Sequence, residues 1–453
     1  MRYPKAPPSQ GKLLDHLLVA GRQMVEQATP STVDGRYLHW DELRYREPPE
    51  GRTREQWWGG VRLARRLAAT RVAAMATTFD QPFGFVETPL MRGALHQFDR
   101  QNVSKILASA LGNEDAVTEY KVRLLIEEAI SSSVIEGARP TTREVARQMV
   151  REQREPTTRD ERMILNNWRA MQRIVQLRAE ERPLSLDDLL ELHRIIGDAA
   201  LDVDEAERRL RRGEHDVRVE DQEGNVWHTA PPVQDPEGRI PPLVDRVRAM
   251  LDFANSESDD GGAFIHPVLR AIISHFWLAY EHPFRDGNGR MARALFYWTM
   301  LRHGYELAEF LSISGPIDRK PMAYCRAFAY VETDDADLTY FILHQLDVLQ
   351  EALDELLAHL KERAKRAREL SSIIADFDRL NHRQRALLQK AVRHPLQNYT
   401  IEGHATSHGV HYQTARNDLQ ALVALGYFEP ERVGKGKRFR PADKLTQLIN
   451  GAR

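Results

Sequence analysis

Cysteine is almost missing from this chain of 453 residues. Cys325 stands alone, which excludes an internal disulfide framework and any cysteine-cluster metal site. Its neighbours, Met322-Ala-Tyr324 and Arg326-Ala-Phe328, predict a helix with the thiol in or near the core rather than a nucleophile. Long apolar runs are missing too: no stretch holds eighteen uncharged apolar residues. The opening MRYPKAPPSQGKLL is proline-rich and polar, so it reads as neither a signal peptide nor a span, and a cytoplasmic protein without membrane contact is expected. Excess charge of one sign is absent, with 64 Lys and Arg against 66 Asp and Glu and a net charge of -2. Any nucleic-acid binding must therefore be local. Long-period repeats and low-complexity tracts are lacking as well. What remains is 42% hydrophobic with a mean hydropathy of -0.53, a soluble chain long enough for two or three domains.

The hydrophobic spacing is mostly helical. Residues 1–100 read as a helical lead-in anchored by Trp40, Trp57, Trp58, Phe79, Phe83 and Phe85, with a packing role. Between 101 and 350 the apolar residues recur every three or four positions over 115–136, 158–179, 185–199, 241–256, 265–281 and 288–303. One stretch breaks that period. In 213–232 Val217 and Val219 alternate with polar residues, Glu223-Gly224-Asn225 supplies a turn, and Val226 and Trp227 resume an extended run, which predicts a β-hairpin. A charged amphipathic helix over 337–370 leads through a connecting segment, 351–377, to residues 378–453. From Arg379 onward 13 Lys and Arg face 5 Asp and Glu, so this tail carries roughly +8.

The segment with chemistry in it is His282-Pro-Phe-Arg-Asp-Gly-Asn-Gly-Arg-Met-Ala-Arg293. A helix runs into it, Pro283 and two glycines force a loop, and a second helix leaves it. A glycine-rich loop opening a helix aims backbone N–H groups and the positive end of the helix dipole at one point, which makes an anion site. Arg290 and Arg293 lie three apart on one helical face, where guanidinium forks can grip phosphate oxygens. Asp286 inside such a loop makes sense chiefly as a Mg²⁺ ligand. His282 is the nearby group able to take a proton near neutral pH. Together these parts describe a phosphoryl or nucleotidyl transfer site.

HPFRDGNGRMAR fills every specified position of HxFx(D/E)GNGRxxR, and the segment resembles the signature of the Fic family. The resemblance extends over about 101–350. It implies a mainly α protein: a Fic-type helical bundle with a β-hairpin flap, followed here by a small α+β domain. It implies ATP as co-substrate and Mg²⁺ as cofactor. His282 would deprotonate a Ser, Thr or Tyr hydroxyl for attack on the α-phosphate. Phe284 would pack beneath the loop, Asp286 would hold the metal, and Gly287, Asn288 and Gly289 would form the anion hole. Arg290 would contact the β-phosphate and Arg293 the γ-phosphate. The family's flap binds a target protein as an added strand, which would make Val217, Val219, Val226 and Trp227 target-binding residues. An ordinary surface hairpin is the other reading of 213–232.

EEAISSSVIEGARP (127–140) reads first as a helix end, over about 115–137, with Gly137 as its left-handed terminus and Pro140 preventing continuation. It also resembles the family's inhibitory motif (S/T)xxxE(G/N), with Ser132 and Glu136 four apart on one helical face. A carboxylate at that helix end would pair with Arg293 in place of the γ-phosphate. The α-phosphate would then be turned away from in-line attack. In some relatives the same glutamate supports removal of AMP, and the sequence does not separate restraint from reversal.

Residues 378–453 resemble a winged helix-turn-helix domain of the kind found in many bacterial regulators. RLNHRQRALLQKAVRH, then 399–409, then the amphipathic HYQTARNDLQALVALG predict three helices, and YFEPERVGKGKRFRPA predicts a two-stranded wing. Gln413, Thr414, Arg416 and Asn417 would face a DNA groove, while Lys435, Lys437 and Arg438 would meet phosphates. Such domains also serve as docking or homodimer modules, and both uses stay open. The reading as a whole is a protein adenylyltransferase restrained in cis by Glu136. A nucleotide-sensing transcriptional regulator, and transfer of another nucleoside monophosphate, are its alternatives.

Overall fold

The computed structural model describes residues 3–9, 31–100, 114–139, 143–152, 154–201, 209–213, 217–220, 223–256, 264–375, 380–393, 397–433, 436–443 and 445. The chain divides into two compact units, Met1–Arg100 with Leu124–Ala352, and Gln101–Arg123 with Leu353–Arg453. Among the described residues no helix is long and apolar enough to cross a membrane.

Among the described residues, the first helices of the first unit are α1 (Trp40–Leu43) and α2 (Arg54–Ala68). A capping box starts α2: Gln56 N–H donates to Thr53 Oγ1 at 3.2 Å and Thr53 N–H to Gln56 Oε1 at 2.9 Å, a device worth about 1 kcal/mol. Trp57, Trp58 and Val61 then bury against Val33, Leu38 and Trp40. The helical lead-in expected for 1–100 is interrupted by a hairpin, β1 (Thr70–Ala76) and β2 (Pro82–Phe85), before α3 (Pro89–Arg100). Val72 and Met75 are the buried residues of β1 and lie three apart, a spacing that mimics a helix. A register irregularity between Arg71 and Ala76 allows that spacing within a strand. Gly84 O accepts from Leu338 N–H at 2.8 Å and Val86 N–H donates to Thr339 Oγ1 at 2.9 Å, so this lead-in is stitched to residues 336–340.

Six of the next seven helices match the expected segments within two or three residues, and the one over Arg143–Glu152 was not among them. They are α4 (Glu114–Ile135), α5 (Arg143–Glu152), α6 (Arg159–Ala179), α7 (Leu186–Gly197), α8 (Leu243–Asn255), α9 (Pro267–Glu281) and α10 (Asn288–Arg302). Residues after them form α11 (Ser314–Arg319), α12 (Pro321–Thr333) and α13 (Thr339–Ala375). α9 and α10 are buried on nearly every face, Ile272, Phe276, Trp277, Met291 and Trp298 among them. α9 is largely apolar and α10 turns Arg290 and Arg293 inward, so both sit at the centre, enclosed by their neighbours. Between α7 and α8 stands the expected hairpin, β3 (Arg218–Glu220) with β4 (Val226–Thr229), antiparallel with Val219 opposite His228.

The second unit holds α14 (His382–Arg393), α15 (Ile401–His408), α16 (Tyr412–Ala424), β5 (Phe428–Val433) and β6 (Gly436–Pro441). Its core gathers Leu388, Leu419, Leu422, Phe428 and Phe439. β5 and β6 pair antiparallel from Phe428–Pro441 to Val433–Gly436, and Tyr399 exchanges two 2.8 Å backbone bonds with Phe439. Gln413, Arg416 and Asn417 are exposed on α16 and Thr414 is half-buried, while Arg438 is exposed on β6. Lys435 and the side chain of Lys437 lie outside the described residues.

Candidate active site

α9 ends on His282, which takes the left-handed conformation (φ 48°, ψ 54°) that side chains other than glycine adopt at a cost. The surroundings impose it. His282 N–H still donates to Leu278 O at 3.0 Å. Arg211 Nε donates to His282 O at 2.8 Å, and Arg211 N–H donates to Pro283 O at 2.8 Å. Arg211 Nη2 reaches Glu281 O at 3.2 Å and also Pro231 O, at the end of the hairpin segment. Buried Arg246 pairs with buried Glu281 at 2.9 Å and donates to Pro232 O at 2.9 Å. Two arginines thus tie the hairpin's exit to the loop's entry.

The His282 ring has a defined tautomer. Ala279 O, an acceptor only, lies 2.9 Å from Nδ1, so Nδ1 carries the proton and Nε2 keeps its lone pair. Burial pushes the imidazole down to about 4 against the favourable bond to Ala279. The ring is therefore neutral at physiological pH.

Past His282 the loop is built around Phe284, which is fully buried. The Asn288 side chain holds both of its backbone groups, accepting from Phe284 N–H at 2.9 Å and donating to Phe284 O at 2.9 Å. Asn288 is thus a brace for the loop through its side chain, while its backbone N–H belongs to the first turn of α10. His193 of α7 stacks flat on Phe284, with centroids 3.8 Å apart, and donates from Nε2 to Asp286 O at 2.9 Å. Gly287 (φ 84°) turns the chain into α10 with no side-chain cap. The first N–H groups of α10 have no acceptor within the helix, and an uncapped N-terminus of this kind suits an anion. Asp286 is exposed at the loop's tip.

Arg290 and Arg293 are both almost fully buried. Among the described residues, Arg290 Nε and Arg293 Nη1 have no hydrogen-bond partner, an arrangement that fits anionic oxygens between them. They are not equivalent. Arg293 lines the cavity beside the loop, whereas Arg290 sits behind it against Ile196 O at 3.4 Å.

The end of α4 meets Arg293. Ser132 Oγ accepts from Arg293 Nε at 2.8 Å, Ser132 O accepts from Nη2 at 2.9 Å, and Glu136 Oε1 accepts from Nη2 at 2.9 Å. Gly137 (φ 93°) closes the helix as a left-handed terminus, with its N–H on Val134 O at 2.9 Å. Burial pulls the Glu136 carboxyl up, but Arg293 and Arg290 outweigh it and hold it below the usual carboxylate range. Any side chain at Gly289 would collide with the Glu136 carboxylate. The carboxylate thus lies over the N-terminus of α10, where an anion would bind.

A cavity of about 420 Å³ joins these groups. His282, Asp286, the three residues Gly287–Gly289, Arg293 and Glu136 face it from the loop and α4; Val217, Val219 and Trp227 face it from the hairpin. Val226, expected with them, is 41% exposed and does not line it. Tyr324, Cys325, Phe328 and Glu332 form a further wall on α12. Cys325 is therefore half-buried on a cavity wall rather than held in the core, because its helix turns that face toward the loop. Sequence reasoning gave no role to His193, Arg211, His228, Tyr324 or Glu332, each outside 282–293 and none in a segment whose pattern singles it out.

Fold and site define a helical domain built around an anion-binding loop with a neutral histidine at its mouth. Residues 183–300 match the sequence model of the Fic/DOC family, so this chain carries a Fic/DOC domain. It is 35% identical over 129 residues to the protein adenylyltransferase fic-1 of Caenorhabditis briggsae, across 28% of this chain and 22% of that protein. The protein of that name in Caenorhabditis elegans is 34% identical over 130 residues, again across 28% and 22%. The chain thus spans about a fifth of the length of these curated relatives. A solved Fic family protein from Desulfovibrio desulfuricans resembles it at 20% identity and a TM-score of 0.48, over 79% of this chain and 97% of that one.

Proposed function

We propose that this protein transfers AMP from ATP to a Ser, Thr or Tyr hydroxyl of a protein, its own chain included, and that Glu136 restrains it. One observation carries this reading: a neutral His282 with Nε2 unprotonated and an N-terminal helix turn with a buried arginine open onto one cavity. In the reaction the hydroxyl proton passes to His282 Nε2, the oxygen forms a bond to the α-phosphorus, and the bond from that phosphorus to the bridging oxygen breaks, releasing pyrophosphate. The first turn of α10, with Arg290 and Arg293 beneath it, holds the departing phosphates. Exposed Asp286 is the residue that would hold Mg²⁺, in company with phosphate oxygens, as suits an ion usually bound by one or two carboxylates. That ion supplies charge neutralisation. No group of three or more His, Cys, Asp or Glu able to hold a metal occurs among the described residues.

Restraint follows from the same geometry. With Glu136 on Arg293, the γ-phosphate loses its partner, and a 1 Å displacement of the α-phosphate costs on the order of 10²-fold in rate. The cavity-facing Val217, Val219 and Trp227 support reading the hairpin as the strand beside which a target lies. Exposed Gln413, Arg416 and Asn417 on α16 support reading the C-terminal domain as a DNA-binding winged helix. The decisive experiment incubates the Glu136→Gly protein with Mg²⁺ and each α-labelled nucleoside triphosphate in turn. ATP is expected to label protein, and adding His282→Ala is expected to abolish the label. Absence of label from every nucleotide, or label that survives His282→Ala, would sink the proposal.

A further inference from the structure

His228, on β4, has an acceptor on each side. Its Nε2 lies 2.8 Å from Tyr280 O and its Nδ1 lies 2.8 Å from Glu332 Oε1 of α12. A carbonyl oxygen only accepts, and so does a carboxylate, so both ring nitrogens carry protons and the ring is an imidazolium. The ring is 9% exposed, and its centroid lies 6.0 Å from that of His282. A fixed cation thus stands beside the group read above as the base.

We propose that His228 is a positioning residue for the transfer reaction: paired with Glu332, it is a fixed cation that adds to burial in disfavouring a charge on the neighbouring His282, and it ties that ring to the flap strand. The inference rests on the reading of His282 as the base. Every charged group around His228 agrees with it. From α12 comes Glu332; from α9 come the Tyr280 carbonyl and the buried Glu281, itself paired with Arg246; from the loop comes His282. Burial lowers the affinity of His228 for its second proton, but Glu332 and Tyr280 outweigh that loss and raise it overall. In the other direction, after burial and the Ala279 bond, His228 is the next influence on His282 and drives it down. At 6.0 Å and a near-surface dielectric, one unit charge moves a neighbour's titration by roughly one to two pH units.

The hairpin gives this arrangement a second consequence. His228 follows Trp227, whose ring meets that of Tyr3 edge-on at 5.2 Å, and Val219 is its partner across the ladder. A target lying along this hairpin would press on the strand that holds the cation. Strand position and base state are therefore coupled through one side chain.

The test uses the full-length protein and reads His282 and His228 by imidazole NMR across pH, without nucleotide, so that it stands whether or not AMP is the group transferred. In the wild type, His228 is expected to show two protonated ring nitrogens at pH 7.5; a neutral ring there overturns the proposal. His228→Gln removes the charge and is expected to raise the His282 titration by roughly one to two pH units, whereas His228→Lys restores a cation and is expected to return it toward the wild-type value. In the Glu136→Gly background the acid limb of the transfer rate should move by the same amount and in the same order. A His228→Gln protein that folds as the wild type by circular dichroism, loses rate equally at all pH and leaves His282 unmoved reduces His228 to packing and ends the proposal. A displaced His282 titration with no labelling from any nucleotide leaves this inference standing and removes the transfer reading instead.

Discussion

A histidine takes a proton only when it does not already hold one, and His282 meets that condition through burial rather than through a carboxylate partner. Its ring is held down to about 4, so the sign is fixed: below that pH the ring is charged and takes no proton, and above it the ring is free to act as the proposed base. Transfer by the Glu136→Gly protein should keep most of its rate from pH 7.5 down to about 5.5, a fall there of tenfold or more being the contrary result. Gly289 makes a second residue-scale prediction. A Cβ there would stand where the Glu136 carboxylate now lies, over the turn proposed to receive phosphate. Gly289→Ala combined with Glu136→Gly should bind ATP about tenfold more weakly than Glu136→Gly alone, roughly 1.4 kcal/mol by calorimetry. Equal affinities would mean that phosphate does not approach α10 at this point.

Among the elements, α4 matters through where it is anchored. Glu128, two turns before Glu136 and buried, accepts from Ser312 Oγ at 2.8 Å, Ser314 N–H at 3.0 Å and Ser314 Oγ at 2.5 Å. Arg143 Nη1 donates to Ser131 Oγ at 3.0 Å, and Arg147 pairs with Glu127. These bonds fix the rotation of the helix and so aim Ser132 and Glu136 at Arg293. Glu128→Ala leaves two hydroxyls and an N–H without their acceptor, which should cost about 1–3 kcal/mol. The variant should show both a lower Tm and a higher rate of self-labelling. A lower Tm with an unchanged rate would mean that this anchor stabilises α4 without aiming it.

At the scale of the whole molecule, buried neutral histidines set the acid limit. Burial drives His39 down to about 3, His344 and His282 to about 4, and His275 well below its ordinary value. Their folded values lie below the unfolded one near 6.5, so the unfolded chain binds more protons whenever the pH falls below that. Their contribution is complete above pH 6.5 and shrinks as the pH drops toward 4. Asp334, which burial pushes up to about 6, acts oppositely, its neutral form favouring the fold at low pH and losing that advantage as the pH rises through 6. Burial raises Glu281, Asp337 and Asp347 in the same sense, but the histidines are displaced further, which predicts a Tm that falls steadily from pH 6.5 to 4.5 in calorimetry. A flat or rising Tm over that range would contradict the assignment. The second unit makes a separate prediction. If α16 and β6 meet DNA phosphates, affinity should drop steeply between low and moderate salt. Salt-independent binding would point to docking instead.

What the sequence determined by itself was local. Twelve consecutive residues, 282–293, carry the histidine, the loop and both arginines, because a helix end, a glycine turn and a new helix are written in adjacent positions. The i, i+4 pair Ser132 and Glu136 with Gly137 behind it was equally readable, and so was the alternation that makes β3 and β4. The hairpin at 70–85 was not, since Val72 and Met75 keep a helical spacing that only an irregular register explains. The tertiary structure decided what depends on segments that meet. It brought Glu136 onto Arg293 across 157 positions, set His193 against Phe284, clamped His282 into a left-handed turn with Arg211, and placed His228 beside both Glu332 and His282. His193, Arg211, His228 and Glu332 bear no mark in their own segments, because a hydrogen bond between residues far apart in the chain leaves no periodicity in either one.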